Sequence, residues 1–525
     1  MSGKPQIFTD IEAAMRRSDM ATAMLLAREA LDQGLRHPLL FQLRAAWHED
    51  QGQPADACAD LEAGLAMKPG DPRMLNALGR CRTALGDYLP ALTALRAALH
   101  ADPGLAVAHY NEGSIWEQVG DFEQALAAYE RALANDPELS DAAARLAFIA
   151  AQHGDLARAR ETADGVLTRE PRHPVAAFAH IASDLAEGRF EEAETRARKI
   201  MTDPRTTAQA RMHATAYTAD ALDGRGQFDD AFRLYRQAKD GLADILHDRP
   251  GSEALETGRM LAQRLAREMA PLADAEHWEA PADNTAAQAE GLVFLVGFPH
   301  SGTQMLGRIL SAHPRALVLN DRALLHHAAE EFIRKPDSLA RLAKITAAHA
   351  DQLRGAFWAA VRDLGADARG KVLIDQSATN LLYLPLIAKL FPAARVVFAA
   401  RDPRDGVLDC FRTVSAISAH AYDFLTLDGA ARYYDETMRL DALYRANLRL
   451  PRLDMRHEAL AGDFDTQSRA LCEFAGLAWD PALRGFASRK GLRSEGGSRW
   501  HDYAANLAPV LPLLAPWVER FGYEP

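Results

Sequence analysis

The sequence predicts two architectures in one 525-residue chain: an all-α superhelix over residues 1–267 and a P-loop-like three-layer α/β domain with a parallel sheet over 291–525. Three observations carry this. A 34-residue spacing of Gly, Ala and Pro runs through the first half and stops before the second. From Gly291 onward, short β-rich runs alternate with helical patterns, as βα units do. The length also exceeds what one hydrophobic core organises, so at least two units are required.

In the first half, Gly52, Gly86, Gly120, Gly154 and Gly188 share the 34-residue period, and so do Ala57, Ala91, Ala125, Ala159 and Ala193, with Pro69, Pro103, Pro137 and Pro171 in the same register. This is the tetratricopeptide period. The clearest copy, "AVAHYNEGSIWEQVGDFEQALAAYERALANDPEL" at 106–139, reads as two amphipathic helices. Gly113 permits close approach of the first helix to the second. Gly120 and Asp121 supply a positive-φ turn and an N-cap. Ala125, Tyr129 and Ala132 form one packing face, and Pro137 closes the unit. Residues 4–245 closely resemble a tetratricopeptide array with five clear copies and weaker flanks around Ser18 and Gly226. The resemblance implies a stacked superhelix whose groove takes a peptide or protein partner. Residues 268–290, where the apolar period lapses into Ala, Pro, Asp and Glu, read as a linker.

Charge divides along the same line. Residues 1–290 hold 31 Lys and Arg against 46 Asp and Glu, a balance of −15, whereas 291–525 hold 29 against 26, a balance of +3. The acidic half disfavours nucleic acid as a partner and suits basic peptides. Cys58, Cys81, Cys410 and Cys472 show neither disulfide-framework nor metal-ligand spacing. With no signal-like N-terminal core and no apolar run of about 18 residues, the expectation is a cytoplasmic protein without a membrane span. The adjacent His326 and His327 diverge by about 100° on a helix and make a poor metal pair, so no metal is expected.

In the second half the strands are expected in "LVFLVG", "KVLID" and "ARVVFAA". The turn from Gly297 to Thr303 lies where the first strand runs into a helix. Backbone N–H groups and the helix dipole converge there, a setting suited to phosphate. A nucleotide triphosphatase P-loop needs Lys where Thr303 stands, so ATP or GTP hydrolysis is disfavoured.

Three segments, "FLVGFPHSGTQMLGRILSAHP", "LIDQSATNLLYLPLIAKLFPAARVVFAARDPRDGVLDCFR" and "SRWHDY", follow the order and spacing of a sulfotransferase domain. The chain resembles bacterial tetratricopeptide-sulfotransferase fusions and is similar to the protein-tyrosine sulfotransferases. The resemblance implies 3′-phosphoadenosine-5′-phosphosulfate as donor and a hydroxyl acceptor. It implies that Pro299, His300, Ser301, Gly302, Thr303 and Gln304 hold the 5′-phosphosulfate, that Arg401 reaches the 3′-phosphate, and that Arg499 closes over it. Asp321 stands where the family places the base, and His300 and Gln376 complete the catalytic set.

The sequence also departs from the family. His300 replaces Arg or Lys, Gln304 replaces Thr, Gln376 replaces the Lys of "DKxPxN", and Asp409 replaces the Ser that binds the 3′-phosphate; the segment before "SRW" lacks the usual donor-binding lid sequence. A carboxylate about 4 Å from a phosphate charge is opposed by about 4 kcal/mol at an effective dielectric near 20. Asp409 is therefore expected to turn away, to pair with Arg404 or Arg412, or to belong to a site that no longer takes a 3′-phosphate. The readings are a sulfotransferase with a non-standard donor site, a degenerate domain serving as a non-catalytic peptide- or protein-binding module, and an enzyme with a changed donor. A kinase ranks below all three, because the P-loop Lys is missing.

Overall fold

The computed structural model describes residues 6–247, 255–281, 289–320, 322, 324–414, 419–484 and 498–524. The chain forms two compact units, Met1–Arg196 and Ala197–Pro525.

The first unit is a run of short helices packed as successive hairpins, from Gln6–Arg16 to the beginning of Phe190–Thr202. The periodic glycines do what their spacing suggests: Gly52, Gly86, Gly120, Gly154 and Gly188 all take positive φ, between 69° and 85°. Asp121 caps the second helix of the clearest copy by accepting from Gln124 N at 3.0 Å. A Cβ on Gly113 would sit 2.7 Å from the Tyr129 ring, which fixes the close approach of Ala106–Gln118 to Phe122–Asn135. Tyr129, Ala125 and Ala132 are fully buried.

The second unit begins before the helical pattern ends. Helices Ala208–Gly224, Phe228–His247 and Gly258–Met269 belong to it. Their Ala219, Tyr235, Ala262 and Leu265 share one apolar core with Phe294, Val296 and Phe398 of the sheet. The first part of the expected linker is also folded. Trp278 is buried and donates to Leu272 O at 3.0 Å, and Glu279 O accepts from Lys389 Nζ at 2.7 Å. Loss of the apolar period there reflects a change from helix to short turns held by one large aromatic. Residues 282–288 of that segment lie outside the described residues.

The sheet has five parallel strands, β1 (Gly291–Gly297), β2 (Ala316–Asn320), β3 (Val372–Gln376), β4 (Arg395–Ala400) and β5 (Arg452–Arg456), in the order β2-β3-β1-β4-β5. Val293, Leu295, Ile374 and Val397 enter one apolar cluster, while Phe294, Val296, Leu373 and Val396 enter the other. Both faces are covered, which makes three layers. β2 and β5 are edge strands, each mostly half-buried, and the charged "RLDMR" of β5 hides it from a pattern search. The chain leaves β1 toward β2 and leaves β4 toward β5. A crevice is expected where neighbouring strands part in this way, at the carboxyl ends of β1 and β4. No helix among the described residues is long and apolar enough to cross a membrane.

Candidate functional site

The turn after β1 delivers the chain into helix Thr303–Ser311. His300 and Gly302 both take positive φ, 61° and 99°. For Gly302 this is inexpensive; for His300 it is strained backbone at a cleft. The turn is held by Ser301 N donating to Phe298 O at 3.0 Å and by Arg401 Nη1 donating to His300 O at 3.1 Å. Gly302 provides no side-chain cap, so the helix start faces its surroundings through backbone N–H groups. A side chain here would also collide with His457, whose Nδ1 lies 2.8 Å from the position of a Gly302 Cβ.

A cleft of about 520 Å³ opens beside this turn. Arg308, Arg401, Arg412 and Arg499 line it, together with His300 and Asp409. Three of the arginines form a ladder with two carboxylates. Asp409 accepts from Arg401 at 2.7 Å and lies 3.5 Å from Arg412. Asp223, on helix Ala208–Gly224, accepts from Arg412 at 3.1 Å, from Arg499, and from the Tyr503 hydroxyl. Arg404 is engaged elsewhere. It is bidentate to Asp402 at 2.9 and 2.7 Å, and its guanidinium lies 3.8 Å from the Trp500 ring.

The segment carrying Arg499 is fixed at its backbone by Asp405, which accepts from Arg499 N and Trp500 N at 2.8 Å each and from Ser498 Oγ at 3.0 Å. Burial raises the Asp405 pKa above the ordinary carboxylate range, with these N–H groups and Arg401 opposing the shift. The His300 ring is open to solvent in the cleft yet closely surrounded by protein. That crowding pushes its pKa below the usual histidine value; Arg401, Lys239 and Arg412 push the same way, and Asp409 opposes them.

The structure thus brings Pro299, His300, Gly302, Thr303, Gln304, Arg401, Asp409 and Arg499 to one cleft. Ser301 is buried behind the turn, with its Oγ 2.3 Å from the position a Gly297 Cβ would take. Gln376 does not line the cleft. It is 3 % exposed, and its Oε1 packs into the space left by Gly307 on helix Thr303–Ser311. Asp321 lies outside the described residues. Of the two partners expected for Asp409, Arg412 is present and Arg404 is not; the main partner is Arg401. Sequence reading missed Arg308, Asp223 and His457 at this site. Arg308 follows Gln304 by one helical turn and was legible from that spacing. Asp223 gave no signal, because its partners are far away in sequence.

An anionic ligand fits the side of the cleft formed by the turn, where an uncapped helix start meets arginines. On the side of Arg401 the fit is poorer, since Asp409 already engages that guanidinium.

Residues 293–481 match the family model described as the sulfotransferase family, and residues 106–139 and 48–106 match two tetratricopeptide repeat models. Similar solved structures include a tetratricopeptide repeat protein from Parabacteroides merdae, at 16 % identity and TM-score 0.37 over 45 % of this chain and 91 % of that one. PilW, a type IV pilus biogenesis factor, is similar at 17 % identity and TM-score 0.34 over 39 % and 94 %. A thermophilic repeat protein from Thermus thermophilus is similar at 19 % identity and TM-score 0.30 over 34 % and 98 %. No curated protein matches the chain.

Proposed function

As a member of the sulfotransferase family that carries tetratricopeptide repeats ahead of its α/β domain, this chain, we propose, transfers a sulfuryl group from 3′-phosphoadenosine-5′-phosphosulfate to a hydroxyl of a peptide or other acceptor recruited by the repeats. The observation that supports this reading is the cleft at the ends of β1 and β4, where an uncapped helix start and four arginines converge. In the proposed reaction the acceptor oxygen bonds to sulfur as the sulfur–oxygen bond to the phosphate breaks. The acceptor's proton goes to Asp321, and the phosphate leaves with the electron pair. Backbone N–H groups of the turn and the cleft arginines offset the charge gathering on the leaving oxygen. His300, unlike an arginine, adds no permanent charge. Gln376 is assigned to supporting helix Thr303–Ser311 from behind.

One observation favours a second reading. Asp409 holds Arg401 at 2.7 Å, as in a site with a changed donor or in a non-catalytic module. Calorimetric titration separates these. A donor site of the proposed kind binds adenosine 3′,5′-bisphosphate at least tenfold more tightly than adenosine 5′-monophosphate. Equal affinities point to a donor without the 3′-phosphate, and binding of neither leaves the module reading. Under the proposal, Asp409→Ser tightens the bisphosphate by about tenfold, because it frees Arg401 and removes a repelling charge.

A further inference from the structure

Positions counted from each turn glycine show how the cleft arginines are held. Gly226 itself follows Gly188 by 38 residues, not 34, because helix Ala208–Gly224 has 17 residues where Ala106–Gln118 has 13. Glu49, Glu117 and Asp223 each stand three residues before a turn glycine, Gly52, Gly120 and Gly226. Within the repeats this carboxylate reaches the first helix of the following hairpin: Glu49 accepts from Arg80 at 2.6 Å, and Glu117 accepts from Arg145 at 3.2 Å. Glu117 also accepts from the Tyr129 hydroxyl at 2.7 Å. Tyr235 stands in the register of Tyr129, nine residues after the glycine. In the last hairpin, however, the guanidinium that meets this cluster is Arg412. It reaches Asp223 at 3.1 Å and the Tyr235 hydroxyl at 3.2 Å.

A second register position has changed in the same hairpin. Thirteen residues after the glycine stand Leu65, Leu99, Leu133, Leu167 and Met201, but then Lys239. Lys239 is 1 % exposed, and its Nζ donates to Thr413 O at 2.7 Å and Cys410 O at 3.3 Å, at the end of helix Pro403–Arg412. An apolar stacking position thus carries a cation that caps the helix bearing Arg412. Contacts that a following repeat supplies elsewhere are supplied here by the α/β domain.

We propose that Asp223 is a positioning residue of the cleft: it holds Arg412 and Arg499 side by side from the last repeat hairpin, so that both present their guanidinium groups to one anionic ligand. Asp223 is 4 % exposed and meets both arginines and the Tyr503 hydroxyl. Apart from Asp223, Arg499 is held through its backbone: its N–H donates to Asp405 and its carbonyl accepts from Asp502 N at 3.0 Å. Without the carboxylate its long side chain regains rotamer freedom that a ligand must then remove. The inference rests on the cleft binding an anion, and the identity of the donor does not enter it.

The test is titration of the full-length protein with inorganic pyrophosphate. Removing a negative charge beside an anion site should by Coulomb attraction alone tighten binding. Loss of positioning does the reverse. Asp223→Asn is expected to weaken pyrophosphate binding about fivefold, and Asp223→Glu, which keeps the charge, to stay within about twofold of the wild type. Unchanged or tighter binding by Asp223→Asn overturns the proposal. Should that variant not fold, Arg499→Gln, at a partly exposed side chain, carries the test. It must weaken pyrophosphate binding about fivefold or more, and an unchanged affinity leaves Asp223 with nothing to position. A wild type that binds pyrophosphate but shows no preference for adenosine 3′,5′-bisphosphate defeats the donor assignment and leaves this inference standing.

Discussion

The hairpin of Ala106–Gln118 and Phe122–Asn135 and the hairpin of Ala208–Gly224 and Phe228–His247 use the same register for different ends. In the first, Glu117 meets partners 12 and 28 residues away. In the second, Asp223 meets partners 189, 276 and 280 residues away. A repeat position that ties one hairpin to the next at Glu49 and Glu117 here holds two arginines that line the cleft. Stacking needs only a complementary face, so a repeat can be capped by any element that supplies the same partners.

The largest expected consequence concerns where the chain can be cut. If the last hairpin belongs to the α/β domain, residues 197–525 fold alone, whereas 268–525 do not, because Ala219, Tyr235, Ala262 and Leu265 leave the shared core. Circular dichroism and thermal melting of the two fragments decide this. A cooperative transition in 268–525 would mean that the hairpin is only an appended repeat.

Next in size is the effect of placing Lys239 where Leu133 stands in the other hairpin. Burial lowers its pKa from 10.5 to about 8. Between these values the unfolded chain binds the proton and the folded one does not, so deprotonation favours folding and stability rises with pH. Below about 8 both states are protonated and the slope vanishes. Relative to Lys239→Met, the wild type should gain roughly 3 kcal/mol between pH 8 and 10.5, read from denaturant unfolding of 197–525. Parallel curves for the two proteins would show that the ammonium is not desolvated in the fold.

The same contrast explains how far the sequence could be read. The three central strands announce themselves as apolar runs, because both of their faces are buried even though β1 pairs with the distant β3 and β4. The turn glycines and Tyr129 do so through local period, because their partners lie within one or two repeats. The turn from Pro299 to Gln304 was legible for the same reason, as was the pull of Asp409 toward Arg412, three residues on. Asp223 was not, since its partners lie 189, 276 and 280 residues away in the chain. Motif position alone did not show that Gln376 is buried. Strand register directs its side chain beneath helix Thr303–Ser311, and only the missing Cβ of Gly307 makes room for it.

The smallest effect separates the two hairpins at their crossing point. Gly113 and Ala219 both stand seven residues before the turn glycine, opposite Tyr129 and Tyr235. A Cβ at 113 would meet the Tyr129 ring at 2.7 Å, and that ring is pinned by its hydroxyl to Glu117 at 2.7 Å. Helix propensity alone favours replacing the glycine, by up to about 1 kcal/mol. Overpacking against a fixed ring costs about 1–3 kcal/mol and should win. Gly113→Val is therefore expected to destabilise the first unit by about 2 kcal/mol. Ala219→Gly in the last hairpin should cost the second unit about 1 kcal/mol, mostly through propensity. Calorimetry of the full chain reads the two units as separate transitions, and each variant should move only its own. If Gly113→Val instead raises the first midpoint, the ring has room to move and close helix approach is not what the glycine provides.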